Sequence, residues 1–243
     1  MDFKNLNIMV GIAALFSTVS LTSYASQIEE QKQHNESISH EKQINKTTYT
    51  ILTSVNDIIS KKYEFFKEYE SYAHMIMMNS NSDKFLTNDV ANNFVIFMIP
   101  HHEAAIISSL GVIEYTKDSK VKSLAEEIVK SQKKEVIEMQ NLLKSGDLRG
   151  NNNPEFKITL EKIMSEMMKD MSIYKSNSNT SKDITTSYLK NMIIHHNGAI
   201  KMAQAYLEQG KNQILLNMCE NIISSQENEI KKMNELLKNI NKN

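Results

Sequence analysis

The sequence predicts an all-α protein, a four-helix bundle built from two repeated helical hairpins, and three observations support this fold class. The composition suits helices, because the 243 residues include only 6 Gly, 2 Pro and no Trp. Apolar residues recur every three or four positions through most of the chain. One segment also occurs twice at an offset of 94 residues, which relates His101-His102 to His195-His196. Such a repeat constrains the architecture before any single element is assigned.

The first 25 residues have the pattern of an export signal. Lys4 supplies a positive charge, residues 8–21 form an apolar stretch, and Ser23-Tyr24-Ala25 is a small-x-small cleavage sequence. We therefore expect a signal peptide over 1–25, cleaved after Ala25, and a mature protein that is periplasmic or secreted, with no membrane attachment once the signal is removed; the alternative is an uncleaved anchor. Residues 26–50 are polar and are predicted to form a mobile leader or a frayed helix.

The remaining chain divides into a first helical repeat over 51–146, a Gly/Asn-rich linker over 147–154, and a second helical repeat over 155–243. Periodicity predicts six helices, at residues 51–78, 88–115, 119–144, 155–174, 182–209 and 212–239. Each repeat is thus a Met-bearing helix followed by a helical hairpin. Because one hairpin cannot cover its own apolar face, two hairpins are expected to pack as the bundle. The two Met-rich helices would then lie against it.

The paired histidines lie on helix faces that also carry methionine. Met98 and Met192 stand three residues before His101 and His195, a spacing that places them on one helix face. Adjacent histidines diverge by about 100°, so one of each pair can face the bundle interior, and the spacing leaves open which one. Imidazoles and thioethers together suit copper, as Cu(I) or Cu(II), better than Mg²⁺ or Ca²⁺. We therefore predict a metal ion as a binding partner.

The second helix of each hairpin places an amide where an apolar residue is expected. These amides are Gln132 and Gln226, and each is followed three residues later by a carboxylate, Glu135 or Glu229. A buried amide needs hydrogen-bond partners, for which a neighbouring His or Glu is the obvious candidate. We predict that these four residues support the metal ligands instead of binding the ion.

These motifs resemble the domain of unknown function 305 family, over roughly residues 72–144 and 164–238. Family members typically carry Met-x-x-His-His-x-x-Ala, matched at 98–105 and 192–199, followed by Gln-x-x-Glu-x-x-x-Met on the next helix. The resemblance implies a ferritin-like helical fold, and some exported members are associated with copper binding through Met and His. The metal ligands that follow are Met98, His101, His102, Met192, His195 and His196, together with Met139, Met202 and Met233 from the same motifs. Accessory donors are Met75, Met77, Met78, Met164, Met167, Met168 and Met171.

The two copies differ. The first has Glu103-Ala104 where the family has Gln-Gly, and Pro100 stands directly before its histidines. The second copy retains Gly198. A proline inside a helix removes a hydrogen bond, so we expect the second copy, around His195 and His196, to be the better-formed site.

Other functions fit less well. The net charge of −1 gives no basic footprint for nucleic acid. The sequence contains no pattern that matches a nucleophilic triad or a phosphate-binding glycine loop. A di-iron oxidase needs Glu-x-x-His motifs, and none of the 7 histidines has a Glu three residues before it. We expect no catalysis.

The alternative to metal binding is a helical scaffold or partner-binding module whose His, Gln and Glu form a polar core network. Cys219 is the sole cysteine and is predicted to be a small buried hydrophobe.

Overall fold

The computed structural model describes residues 65–79, 86–146, 148, 150–171 and 180–240. The predicted signal peptide over 1–25, the leader over 26–50 and the first part of the helix predicted over 51–78 lie outside these ranges. The described helices are α1 (Phe66–Asn79), α2 (Val90–Tyr115), α3 (Ser119–Ser145), α4 (Pro154–Met171), α5 (Ser181–Gln209) and α6 (Gln213–Ile240). Where both are described, the predicted and observed helix ends differ by no more than two residues.

The bundle consists of the two hairpins. Helices α2 and α3 pack against each other, as do α5 and α6, and the hairpins meet where α2 contacts α5 and α3 contacts α6. Helix α1 packs on α2, while α4 packs on α5 and also reaches α2. The predicted all-α fold, with two repeated hairpins and flanking Met-bearing helices, is confirmed.

Helix α2 is the central helix of the bundle. It is apolar on nearly every side, with a mean hydropathy of 1.4 over its most apolar 18 residues, so by length and composition it could cross a membrane. In this fold 89% of that segment is buried by the surrounding helices. The apolar composition is therefore accounted for by packing, because α1, α3, α4 and α5 all contact this helix.

The segment between the repeats is fixed to the start of α2. Asp89 caps this helix by accepting a hydrogen bond from the backbone N–H of Asn92 at 2.8 Å, and its second oxygen accepts from the N–H of Gly150 at 3.0 Å. The N–H of Val90 donates to the carbonyl of Asn151 at 3.0 Å. These bonds place the predicted linker directly against the first repeat.

Candidate metal centre

The paired histidines of the two repeats meet in the bundle interior. The rings of His101 on α2 and His195 on α5 lie with their centroids 3.7 Å apart and inclined by 45°. Their exposed fractions are 0% and 3%. Because 101 and 195 are equivalent positions of the repeat, this contact lies on the approximate twofold axis that relates the two halves. The structure therefore brings the first histidine of each pair into one shared centre.

The second histidine of each pair faces the carboxylate on its own hairpin. His102 Nε2 lies 2.8 Å from Glu135 Oε2, and His196 Nε2 lies 2.7 Å from Glu229 Oε2. Both histidines are fully buried, while the glutamates are exposed by 16% and 10%. The two pairs are equivalent under the 94-residue offset, so the repeat preserves a polar contact as well as its apolar core.

Of the two amides predicted to support the histidines, Gln132 makes no such hydrogen bond among the described residues. Gln132 is 1% exposed, and neither of its amide atoms has a hydrogen-bond partner among the described residues. Gln226 is 2% exposed, and its Oε1 likewise has none there. The expected bond to a neighbouring His or Glu is therefore corrected for Gln132, and the carboxylates one helical turn further on contact the histidines.

One methionine approaches the central pair. Met167 Sδ on α4 lies 3.3 Å from His101 Nε2, and Met167 is buried. The sequence indicated this residue only as an accessory donor. It lies against Gly198 of α5, where an added Cβ would lie 2.5 Å from Met167 Sδ. The glycine thus makes room for the thioether beside the imidazole.

The other predicted methionines have varied environments. All five that were predicted as direct ligands are buried, namely Met98, Met139, Met192, Met202 and Met233. Met192 and Met233 belong to the main apolar cluster, with Ile128 and Tyr188. Among the accessory set, Met77 and Met164 are buried, Met168 and Met171 are half-buried, and Met75 and Met78 are exposed.

Burial keeps the central imidazoles neutral. Burial lowers the pKa of His101 and of His195 well below the usual value of 6.5, and nearby imidazoles lower both further, while a hydrogen bond with the His101 backbone opposes the change in the pKa of His195. Within the part of the chain that the structure describes, no side chain hydrogen-bonds to Nδ1 of His101 or to either ring nitrogen of His195. A neutral imidazole with an available ring nitrogen is the form of histidine that binds metal ions.

Glu103 is a buried acid that the sequence patterns did not single out. It is 0% exposed, and neither carboxyl oxygen has a hydrogen-bond partner among the described residues. Burial raises the pKa of Glu103 well above its usual value of 4.5. The equivalent residue of the second repeat, Asn197, is exposed. The difference arises because α2 is covered on almost every side.

A second acid joins α1 to the bundle. The Glu70 carboxylate accepts a hydrogen bond from the Ser108 hydroxyl of α2 and a further one from the Asn191 side chain of α5. Burial raises the pKa of Glu70 above 4.5, and these two hydrogen bonds oppose the change. The Tyr69 hydroxyl also donates to Glu114 Oε2 at 2.8 Å. Polar contacts thus fix the flanking helix to both hairpins.

The donor set fits a soft metal ion better than a hard one. Within the part of the chain that the structure describes, no group of three or more His, Cys, Asp or Glu side chains is arranged to hold a metal ion. The centre instead combines two neutral imidazoles, from His101 and His195, with the Met167 thioether. Nitrogen and thioether donors without a carboxylate suit Cu(I) more than Mg²⁺ or Ca²⁺.

Comparisons with known proteins agree with this architecture. A family model described as Domain of unknown function (DUF305) matches residues 20–143 and again 89–237. The crystal structure of a DUF305 protein from Streptomyces coelicolor, assigned to the secreted proteins, aligns with a TM-score of 0.52 and 23% identity, covering 64% of this chain and 96% of that one. A DUF305 fragment from Deinococcus radiodurans has a TM-score of 0.47 and 23% identity, covering 63% and 97%.

One curated relative is also similar over a short segment. An uncharacterised protein of Acanthamoeba polyphaga mimivirus is 46% identical over 46 residues, which is 19% of this chain. The matched segment spans 30% of that relative.

Proposed function

The chain belongs to the family described as Domain of unknown function (DUF305), and from that premise and the chemistry of its centre we propose that it binds or buffers copper without catalytic turnover. The observation that carries the proposal is the buried contact between His101 and His195, beside the Met167 thioether. Leaving imidazole nitrogens buried and unpartnered costs about 1–3 kcal/mol each, and a bound cation would offset that cost.

The electrostatics of the centre favour Cu(I). Two neutral imidazoles and a thioether bring no negative charge to the ion. A monovalent ion therefore loses less hydration free energy on burial than a divalent one. The thioether, as a soft donor, adds to the same preference. The two ring centroids lie 3.7 Å apart, so both imidazoles are close enough to contribute to one site.

The outer histidines have a different role in this proposal. A histidine held by a carboxylate through one nitrogen is fixed in orientation and tautomer. Glu135 and Glu229 hold His102 and His196 in this way, and the two pairs flank the central rings. They would fix the two helices of each hairpin against one another and hold the outer imidazoles beside the central pair.

Competition for Cu(I) tests the proposal. The full chain is titrated anaerobically against bathocuproine disulfonate, beside the double variant His101→Gln/His195→Gln. His74→Gln is the matched control, because His74 is exposed on α1. We expect one Cu(I) per wild-type chain, an affinity at least about 100-fold lower in the double variant, and no change in the control. A wild-type chain that fails to compete for Cu(I), or a double variant that matches it, would refute the proposal.

The His–Glu pairs also support the second candidate, a helical scaffold. If Cu(I) binding is absent while His102→Gln and His196→Gln lower the stability of the bundle, the polar contacts serve only to hold the two helices of each hairpin together. Thermal unfolding followed by circular dichroism measures that effect.

We further propose that the protein acts in the periplasm or outside the cell. The signal-like N-terminus supports this, as does the secreted assignment of the Streptomyces coelicolor structure. N-terminal sequencing of protein recovered from the periplasm or medium tests it, and a start at Ser26 is expected.

A further inference from the structure

The two repeats differ at the centre in one ligand. Met167 reaches His101 from α4, whereas the equivalent position on α1 is Ala73, which is also buried. The twofold relation that holds for both histidines and both His–Glu pairs therefore fails for the thioether. Sulfur approaches the central pair from the second repeat, and the matching position in the first repeat has no donor.

The glycine on α5 differs in the same way. A Cβ at Gly198 would lie 2.5 Å from Met167 Sδ, 3.2 Å from its Cγ and 3.4 Å from His101 Nε2. The equivalent residue of the first repeat is Ala104, which is buried. One repeat thus pairs a glycine with a methionine, and the other pairs two alanines. Glycine in a helix interior is less stabilising than alanine, so the glycine that leaves space for the thioether lowers the stability of α5.

We propose that Gly198 is the positioning residue that admits the Met167 thioether to the centre and thereby sets its metal preference. With Gly198 in place, the centre offers two imidazoles and one thioether on one side. At the equivalent positions of the first repeat, Ala73 and Ala104 supply no thioether. This inference rests on the proposed copper function, since it concerns how the same centre selects a soft ion.

The loss-of-function test uses two single variants and their combination. Gly198→Ala pushes the thioether away from the imidazole, and Met167→Ala removes it. The double variant Met167→Ala/Gly198→Ala copies the alanine pair of the first repeat. Cu(I) affinity is measured by competition with bathocuproine disulfonate, and copper–sulfur scattering by X-ray absorption of the Cu(I)-loaded full chain. Zn²⁺ affinity is measured in parallel, because it depends on the imidazoles.

We expect Gly198→Ala to lose the copper–sulfur signal and to weaken Cu(I) binding about tenfold or more, with Zn²⁺ affinity little changed. If Gly198 acts through Met167, adding Gly198→Ala to Met167→Ala should cause no further loss. A purely structural role would lower Cu(I) and Zn²⁺ affinity together, and the two substitutions would then add.

A gain-of-function variant keeps the proposal testable should Gly198→Ala fold poorly. Ala73→Met/Ala104→Gly transfers the glycine–methionine pair to the first repeat. It should add a second copper–sulfur contribution and tighten Cu(I) binding about tenfold or more. Two results distinguish failure of the copper function from failure of this inference. The absence of Cu(I) binding by the wild-type chain refutes the copper function and this inference with it. Normal wild-type binding with an unchanged Gly198→Ala variant refutes this inference alone.

Discussion

Replacing Glu103 by leucine should make the protein more stable. Its carboxyl group is fully buried, and both oxygens lack partners among the described residues. Leaving a buried polar group unsatisfied costs about 1–3 kcal/mol, and leucine, which has a similar volume, places apolar atoms in the same space. We therefore expect the free energy of unfolding to rise by about 1–3 kcal/mol, which corresponds to roughly 2–12 °C in Tm for a chain of this size.

The repeat supplies the control for this prediction. Asn197 occupies the equivalent position on α5 but is exposed, so Asn197→Leu should change stability by no more than about 0.5 kcal/mol. The assay is urea unfolding followed by far-UV circular dichroism, in buffer containing a metal chelator so that ion binding does not contribute. A Glu103→Leu variant less stable than the wild type, with an unchanged dependence on urea, would show that the carboxyl group has a stabilising partner.

Three further outcomes are expected. A double-mutant cycle of His196→Ala and Glu229→Ala should give a coupling energy above about 1 kcal/mol, because their contact is buried; additive effects in thermal unfolding would contradict this. Since burial raises the folded-state pKa of Glu70 above 4.5, its contribution to stability is complete below that value and is lost as pH rises through the folded-state pKa. The Glu70→Gln variant should thus become more stable relative to the wild type as pH rises. If the urea midpoints of the two proteins instead change in parallel with pH, this prediction is wrong. The Cys219 thiol is buried, which raises its pKa, so iodoacetamide should label it far faster in urea than in buffer, as measured by mass spectrometry.

The fold was predictable because the repeat can be read directly from the sequence and the helix ends are determined by nearby residues. Asp89 and Asp118 cap α2 and α3, and Gly146 ends α3 with a φ of 73°. These are local signals that act within a few residues. The arrangement of two hairpins then follows from the 94-residue offset, because equivalent helices must bury equivalent faces.

The centre was less predictable, because it depends on contacts between helices. His101 and His102 lie on overlapping faces of α2, and only the crossing of α2 with α5 decides that the first one meets its equivalent. The choice of Met167 from many methionines depends in turn on Gly198, which lies on a different helix. The burial of Glu103 was open to prediction, since α2 is apolar on nearly every side and its few polar residues must therefore be enclosed.

The contact of His101 with His195 gives this single chain the geometry of an isologous homodimer. Equivalent residues meet across an approximate twofold axis, as they do where two identical subunits associate. A single repeat would therefore have to pair with another copy to form the centre. Covalent joining removes the requirement that both halves be identical. A symmetric homodimer has to bring either two thioethers or none to its axis, whereas this chain can bring one.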